Sequence, residues 1–250
     1  MSARILVVTA VAAERDAVLA GQLLAGRSQA TGTVAGLQVY RALTPAGLLD
    51  VVCGGVGPVA AAVSTGCLLR QGYSLVISAG IGGGFPAAEV GAVAVANAVV
   101  HADLGAETAD GFLSMAELGW GAVRYPVDLG WAAALGRRTG AVTGAVLTVS
   151  TVTGSQQRAD QLLASHPDAV AEGMEGVGVC LAAAQAGVPF AELRAIANPV
   201  GPRHRESWRI PDALAALGAA FDRLLAEPLL AEPLLAEPLL PEPLPPGAGA

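Results

Sequence analysis

The sequence predicts an α/β protein: three αβα layers around a central mixed, mainly parallel sheet. Several short runs, among them RILVVTA (4–10) and SLVISA (74–79), are apolar or small at nearly every position, as in strands buried on both faces. Segments with helical spacing of apolar residues fall between such runs, and strands alternating with helices build parallel sheets covered on both sides. With 250 residues, 53% hydrophobic and 14% charged, the chain can bury one such core.

In order, RILVVTA is the first strand, and AERDAVLAGQLL (13–24) is a helix with Val18, Leu19 and Leu23 on one face. GLQVYRAL (36–43) and GLLDVVCGG (47–55) are two strands around a turn at Pro45. Pro58 opens a helix over VAAAVSTGCLLRQG, ended by Gly72. SLVISA then runs into GIGGGF (80–85), which cannot be helix, and VGAVAVANAVV (90–100) is a further strand. The stretch from Gly105 to Tyr125 reads as loop. Next come a strand at AVLTVST (145–151), a helix at SQQRADQLLASH (155–166) and a strand at AVAEGME (169–175). A helix at GVCLAAAQAG (178–187), a strand at FAELRAIAN (190–198) and a last helix near 211–226 complete the series. From Glu227 the composition changes to Leu-Ala-Glu-Pro-Leu units with a period of five. Recurring proline forbids a continuous helix there, so 1–226 reads as one domain and 227–250 as a low-complexity, disordered tail.

The net charge of −7 and the scattered arginines leave no basic stripe for a phosphate backbone, which argues for a small-molecule partner and against nucleic acid. All 14 basic residues are arginine; without lysine there is neither a Schiff base nor a Walker P-loop. Cys53, Cys67 and Cys180 are too few and too far apart for a disulfide framework or a zinc ribbon, and read as buried reduced thiols. His101, His166 and His204 show no metal-ligand spacing, and no serine lies in a G-x-S-x-G elbow. Neither a metal nor a cofactor is expected. The first ten residues mimic a signal peptide until Glu14, Arg15 and Asp16 arrive where a cleavage region should be; a strand in a cytoplasmic protein is expected instead, with no membrane association.

Ligands of open α/β sheets bind at the carboxyl ends of the strands, and four places there carry polar or glycine residues. Glu14 follows the first strand, where it could also be an ordinary acid at a helix N-terminus. Gly80, Gly82, Gly83 and Gly84 allow close backbone approach. Asp103 lies about the Rossmann distance beyond them, but Pro86 and a strand follow where a helix should receive a pyrophosphate. Glu172 and Glu175 bracket Met174, as catalytic carboxylates or as solvated acids at a helix start. Asn198, followed by Pro199, is a turn former or a ligand contact, with Arg203, His204 and Arg205 nearby.

Taken in order, Glu14, GGVGPVAAAVSTGCLL (54–69), SAGIGGGF (78–85), EGMEG (172–176) and RAIAN (194–198) resemble the nucleoside phosphorylase and nucleosidase superfamily over residues 4–226, closest to its methylthioadenosine/S-adenosylhomocysteine nucleosidase branch. The resemblance implies a purine nucleoside substrate. It also implies that Glu14 activates water, Glu175 holds the ribose hydroxyls, Met174 packs on sugar and base, residue 198 contacts the leaving purine, and the backbone at Val152 and Thr153 lines the base pocket. Gly82 and Gly83 would lie against the substrate, and association into a homo-oligomer, dimer or tetramer, is expected. Those roles match the chemistry: breaking an N-ribosyl bond builds positive charge on the sugar and negative charge on the purine, and both must be stabilised.

The adenine-specific branch has aspartate where Asn198 stands. An amide offers a donor as well as an acceptor, which suits the carbonyl of a 6-oxopurine. Asn198 with PVGPR, ADLGAETADGF (102–112) and STVTGSQQR (150–158) resembles the futalosine hydrolases, which release hypoxanthine on a menaquinone route from a substrate bearing an aryl carboxylate. Arg203 and Arg205 are candidates for that carboxylate, or for structural ion pairs. Three other readings stand beside it, one of them a methylthioadenosine/S-adenosylhomocysteine-type nucleosidase acting on another purine nucleoside. A phosphorylase would need cations converging beside the glycine run, where the local sequence has no arginine; a non-catalytic nucleoside-binding protein would not need both Glu14 and Glu175.

Overall fold

The computed structural model describes residues 3–26 and 28–229. The first half of the chain runs β1 (Arg4–Thr9), α1 (Ala12–Leu24), β2 (Ser28–Val34), β3 (Leu37–Thr44), β4 (Gly47–Cys53), α2 (Pro58–Leu69), β5 (Leu75–Gly84) and β6 (Val93–His101). A short hairpin follows, β7 (Gly105–Thr108) and β8 (Gly111–Ser114), then β9 (Arg124–Pro126), α3 (Leu129–Thr139), β10 (Val142–Thr148) and α4 (Gln156–Ser165). The last part is β11 (Ala169–Gly173), α5 (Gly176–Gln185), β12 (Phe190–Pro199), a 3₁₀ turn (Arg205–Ser207) and α6 (Ile210–Leu225).

Among the described residues one ten-stranded sheet has the order β11-β10-β6-β12-β5-β1-β4-β3-β2, with β9 against β6. Its centre is parallel, as the apolar runs require: β1 pairs with β4 and β5, β5 with β12, and β10 with β6 and β11. The antiparallel pairs of this sheet are β2–β3, β3–β4, β6–β9, β12–β6 and β11–β5, so the sheet is mixed. α1, α3 and α6 cover one face, and α2 and α5 the other. Phe190, Phe221, Leu19, Leu75 and Ile77 are buried in the core between them. Gly218 lets α6 lie close on α1, since a Cβ there would stand 3.0 Å from the Ala17 carbonyl oxygen.

β5 positions the site. Its first half, Leu75–Ser78, lies beside β1; its second half, the glycine run, leaves β1 and pairs antiparallel with β11, Gly83 opposite Glu172 and Gly84 opposite Ala171. Five strands therefore curl into a closed ring, β5-β12-β6-β10-β11, and a gap opens where β1 and β5 part. The carboxyl ends of β1, β11 and β12 all reach that gap.

The sequence reading misses β2, the β7–β8 hairpin, β9 and α3. SQATGTV in β2 has no apolar alternation, and Gly130 and Gly136 interrupt the apolar pattern of α3, which Asp128 nonetheless caps by accepting from the Trp131 N–H at 2.9 Å. The cysteines also differ from expectation: Cys180 is buried, Cys53 is half-buried and Cys67 is exposed, all free. Of the expected tail, Glu227–Leu229 lie against the fold. Arg138 donates to the carbonyls of Glu227 and Pro228, and Leu229 is buried. The rest of the repeat lies outside the described residues.

Candidate active site

A cavity of about 350 Å³, within the usual range for small-molecule sites, fills the gap between β1 and β5. Its wall brings together Glu14, Gly82, Gly83, Val152, Thr153, Met174, Glu175, Asn198 and Arg203, every site residue expected from the sequence. His204 and Arg205 are not on that wall; His204 lies 3.6 Å from Glu206 at the surface.

Glu14 stands in the first turn of α1, and its carboxylate is held by three backbone N–H groups. Ala10 and Val11 donate to Oε2 at 2.9 and 3.2 Å, and Ile81 on β5 donates to Oε1 at 2.9 Å. The helix-start acid and the ligand-facing acid are thus one residue, capping α1 while facing the cavity. Burial pushes its pKa above the ordinary value of 4.5, against the lowering effect of Arg194 and the Ile81 N–H. A carboxylate with a raised pKa, held in place and facing a cavity, is suited to take a proton from water.

Glu175 is the N-cap residue of α5, 5% exposed, and accepts from the Gly57 N–H at 3.2 Å. Its other oxygen, Oε2, accepts from Arg194 Nη1 at 3.1 Å. Arg194 is the residue the sequence reading missed. Fully buried in β12, it also donates from Nε to Glu192 Oε1 at 2.8 Å and from Nη2 to Ser78 Oγ at 2.8 Å. Burial alone would lower the Arg194 pKa, but Glu192, Glu175 and Glu14 outweigh it and the guanidinium is held firmly charged. Two glycines make room: a Cβ on Gly80 would stand 2.5 Å from Glu14 Oε1 and 2.8 Å from Arg194 Nη1, and one on Gly173 would stand 3.0 Å from Arg194 Nε. Part of the glycine run therefore exists for side chains of the protein itself. A signal was present in AELRA, where two opposite charges two residues apart share one face of a strand that is otherwise apolar.

The far wall carries a second set of polar groups, Asn198, Glu172 and Thr153. Asn198 is half-buried at the end of β12; its Nδ2 donates to the Pro199 carbonyl at 2.8 Å, leaving a second N–H and Oδ1 for a ligand. Glu172 is 6% exposed, and burial raises its pKa. It holds the loop after β10, with Thr153 N–H donating to Oε1 at 2.9 Å and the Thr153 hydroxyl donating to Oε2. Asp103 secures the same loop by accepting from Ser150 N at 2.6 Å and Thr151 N at 3.2 Å; this structural task replaces the cofactor role its spacing mimicked. At the mouth lie Val11, Val56, Ile210 and Trp208, with the Arg203 guanidinium 4.9 Å from the Trp208 ring centre. No group of three metal-ligating side chains occurs among the described residues, and none of their helices is long and apolar enough to cross a membrane.

Comparison with known proteins agrees with this geometry. The model of the phosphorylase superfamily matches residues 4–227. The chain is 51% identical to futalosine hydrolase of Streptomyces coelicolor over 232 residues, 88% of this chain and 94% of that protein. It is 43% identical to futalosine hydrolase of Acidothermus cellulolyticus over 230 residues, 90% of this chain and 91% of that one. Among solved structures, S-adenosylhomocysteine nucleosidase of Streptococcus pyogenes shares the fold with a TM-score of 0.76 at 22% identity, covering 90% of this chain and 97% of the other.

Proposed function

The chain belongs to the futalosine hydrolase family of the phosphorylase superfamily, and from that premise we propose that it hydrolyses futalosine to hypoxanthine and dehypoxanthinyl futalosine, a step of menaquinone biosynthesis. The observation that carries the reading is the convergence of Glu14, Glu175 and Asn198 on one cavity, with Arg194 tying the acids together.

In this reading the C1′–N9 bond breaks first and its electron pair leaves with the purine. Glu175, aligned by Arg194, accepts hydrogen bonds from the ribose hydroxyls and supports the cationic sugar. Water attacks C1′ while Glu14 takes its proton. The departing purine takes a proton at N7 from solvent water, and Glu14 returns its own proton to solvent after product release. Asn198 Oδ1 accepts from that N7–H and Nδ2 donates to O6, while Met174 packs on the sugar and base.

Hydrolysis is favoured over phosphorolysis by the charge at the glycine run. The sequence reading found no cation there, whereas the fold brings Arg194 to Gly80. Each of its three nitrogens donates to a neighbour, Glu192, Glu175 or Ser78, and Glu14 lies close by. Three carboxyl groups around one guanidinium leave the local charge negative, which repels a phosphate dianion and admits neutral water.

Arg203, beside Trp208 at the mouth, is our candidate for the aryl carboxylate, with the indole against the aryl ring. The protein is expected to act in the cytoplasm. Association into a homo-oligomer is expected as well, since Val56 on the cavity wall and Val59 and Val63 on α2 are exposed apolar side chains. Turnover in phosphate-free buffer made with ¹⁸O-water tests the reaction. Label on the anomeric oxygen of the sugar product is expected, and a requirement for phosphate would contradict it.

A further inference from the structure

Glu172 has no part in the chemistry above, yet this buried acid is among the residues lining the cavity, and a buried carboxylate is costly unless its oxygens have partners. Its two known bonds both come from Thr153, one to each oxygen. A carboxylate has about four acceptor sites, so about half its capacity is unused. The same bonds change what the wall offers. The Thr153 N–H, which would otherwise present a donor to a base, is spent on Oε1, and the wall presents an acceptor in its place.

We propose that Glu172 is a specificity-determining residue that accepts the N1–H of a 6-oxopurine while Asn198 donates to its O6. The proposal rests on the nucleosidase reading and deepens it. A 6-oxopurine offers a donor at N1 and an acceptor at C6; a 6-aminopurine offers the reverse. With Glu172 as acceptor and the Asn198 NH2 as donor, the wall pairs with the first pattern at both positions, and with the second it sets acceptor against acceptor at N1. Sites that hydrogen-bond a substrate N–H reject the analogue lacking it more strongly than apolar pockets reject a misfit.

The test compares kcat/KM of wild type and Glu172→Gln for futalosine and its 6-amino counterpart. The expected result is a fall of about tenfold or more on futalosine, mainly in KM, and a shift of the ratio toward the 6-amino substrate of at least about tenfold, because the Gln amide can donate to N1. Equal losses on both substrates, the result of a purely structural tether, or an unchanged ratio overturn the proposal. Should Glu172→Gln not fold, inhibition of the wild type by hypoxanthine and by 1-methylhypoxanthine decides: about tenfold weaker inhibition by the methylated base is expected, and equal inhibition overturns it. A wild type that releases adenine but no hypoxanthine overturns the futalosine reading and this proposal together. One that releases hypoxanthine, with base preference unmoved in the variant, overturns this proposal alone.

Discussion

Arg194 donates through Nη1 to Oε2 of Glu175 at 3.1 Å, with the two side chains 1% and 7% exposed. The pair links strand β12 to the N-cap residue of helix α5, and Glu192 holds the opposite side of the guanidinium. A charge in the middle of an apolar sheet is tolerated only when partners surround it, so this pair couples stability to the site.

Replacing Arg194 with Met is expected to leave Glu175 and Glu192 as unpaired buried acids, at a cost of about 3–5 kcal/mol in unfolding free energy. Replacing Glu192 with Leu in the same chain should recover part of that loss, because one orphaned carboxyl is removed. Urea denaturation of the single and double variants measures both. A double variant no more stable than Arg194→Met would mean that Glu192 carries no burial penalty.

Glu14→Gln should lower kcat by about 10²–10⁴-fold while substrate binding stays within a few-fold. Single-turnover and binding measurements separate the two effects, and near-normal turnover would mean that water is activated elsewhere. The pH dependence has a definite sign. The ionised form is active and its pKa is raised above 4.5, so activity falls as pH drops through a value above the ordinary carboxylate range. The folded state holds the Glu14 proton more tightly than the unfolded state does, so Glu14 costs stability as pH rises from 4.5 through the folded pKa. Melting temperatures of wild type and Glu14→Gln across that interval should diverge in favour of the variant.

Much of this was legible in the sequence because strands buried on both faces must be apolar throughout, and helices between them make the sheet parallel. β1, β5, β10 and β12 are readable for that reason. Local residues do not encode which edges meet. Nothing in GIGGGF says that the end of β5 turns to pair antiparallel with β11, and the cavity exists because of that pairing. The nine expected site residues lie at strand ends or just beyond, where position alone is informative. Arg194 lies inside a strand, and its importance comes from Glu175 and Ser78, distant in sequence and adjacent only after folding.

Asn198→Asp should move base preference toward 6-aminopurines. The substitution removes the donor to O6 and leaves a buried polar mismatch worth about 1–3 kcal/mol with hypoxanthine, roughly five- to 150-fold in kcat/KM. Competition between futalosine and its 6-amino counterpart reads the change directly. Unaltered selectivity would remove Asn198 from base recognition.

Arg203→Ala should raise KM for futalosine by about threefold to tenfold and leave the KM for inosine, which lacks the aryl carboxylate, unchanged. Arg203 is exposed, so water screens its charge and limits the effect. Equal rises for both nucleosides would assign Arg203 to the shape of the mouth instead.

The central claim is hydrolysis of a 6-oxopurine nucleoside that carries an aryl carboxylate. Initial rates of base release from futalosine, inosine and methylthioadenosine, each with and without phosphate, test it most directly. Futalosine is expected to give the highest kcat/KM, with hypoxanthine as the released base and no change on adding phosphate. Dependence on phosphate, or faster release of adenine from methylthioadenosine than of hypoxanthine from futalosine, would contradict it.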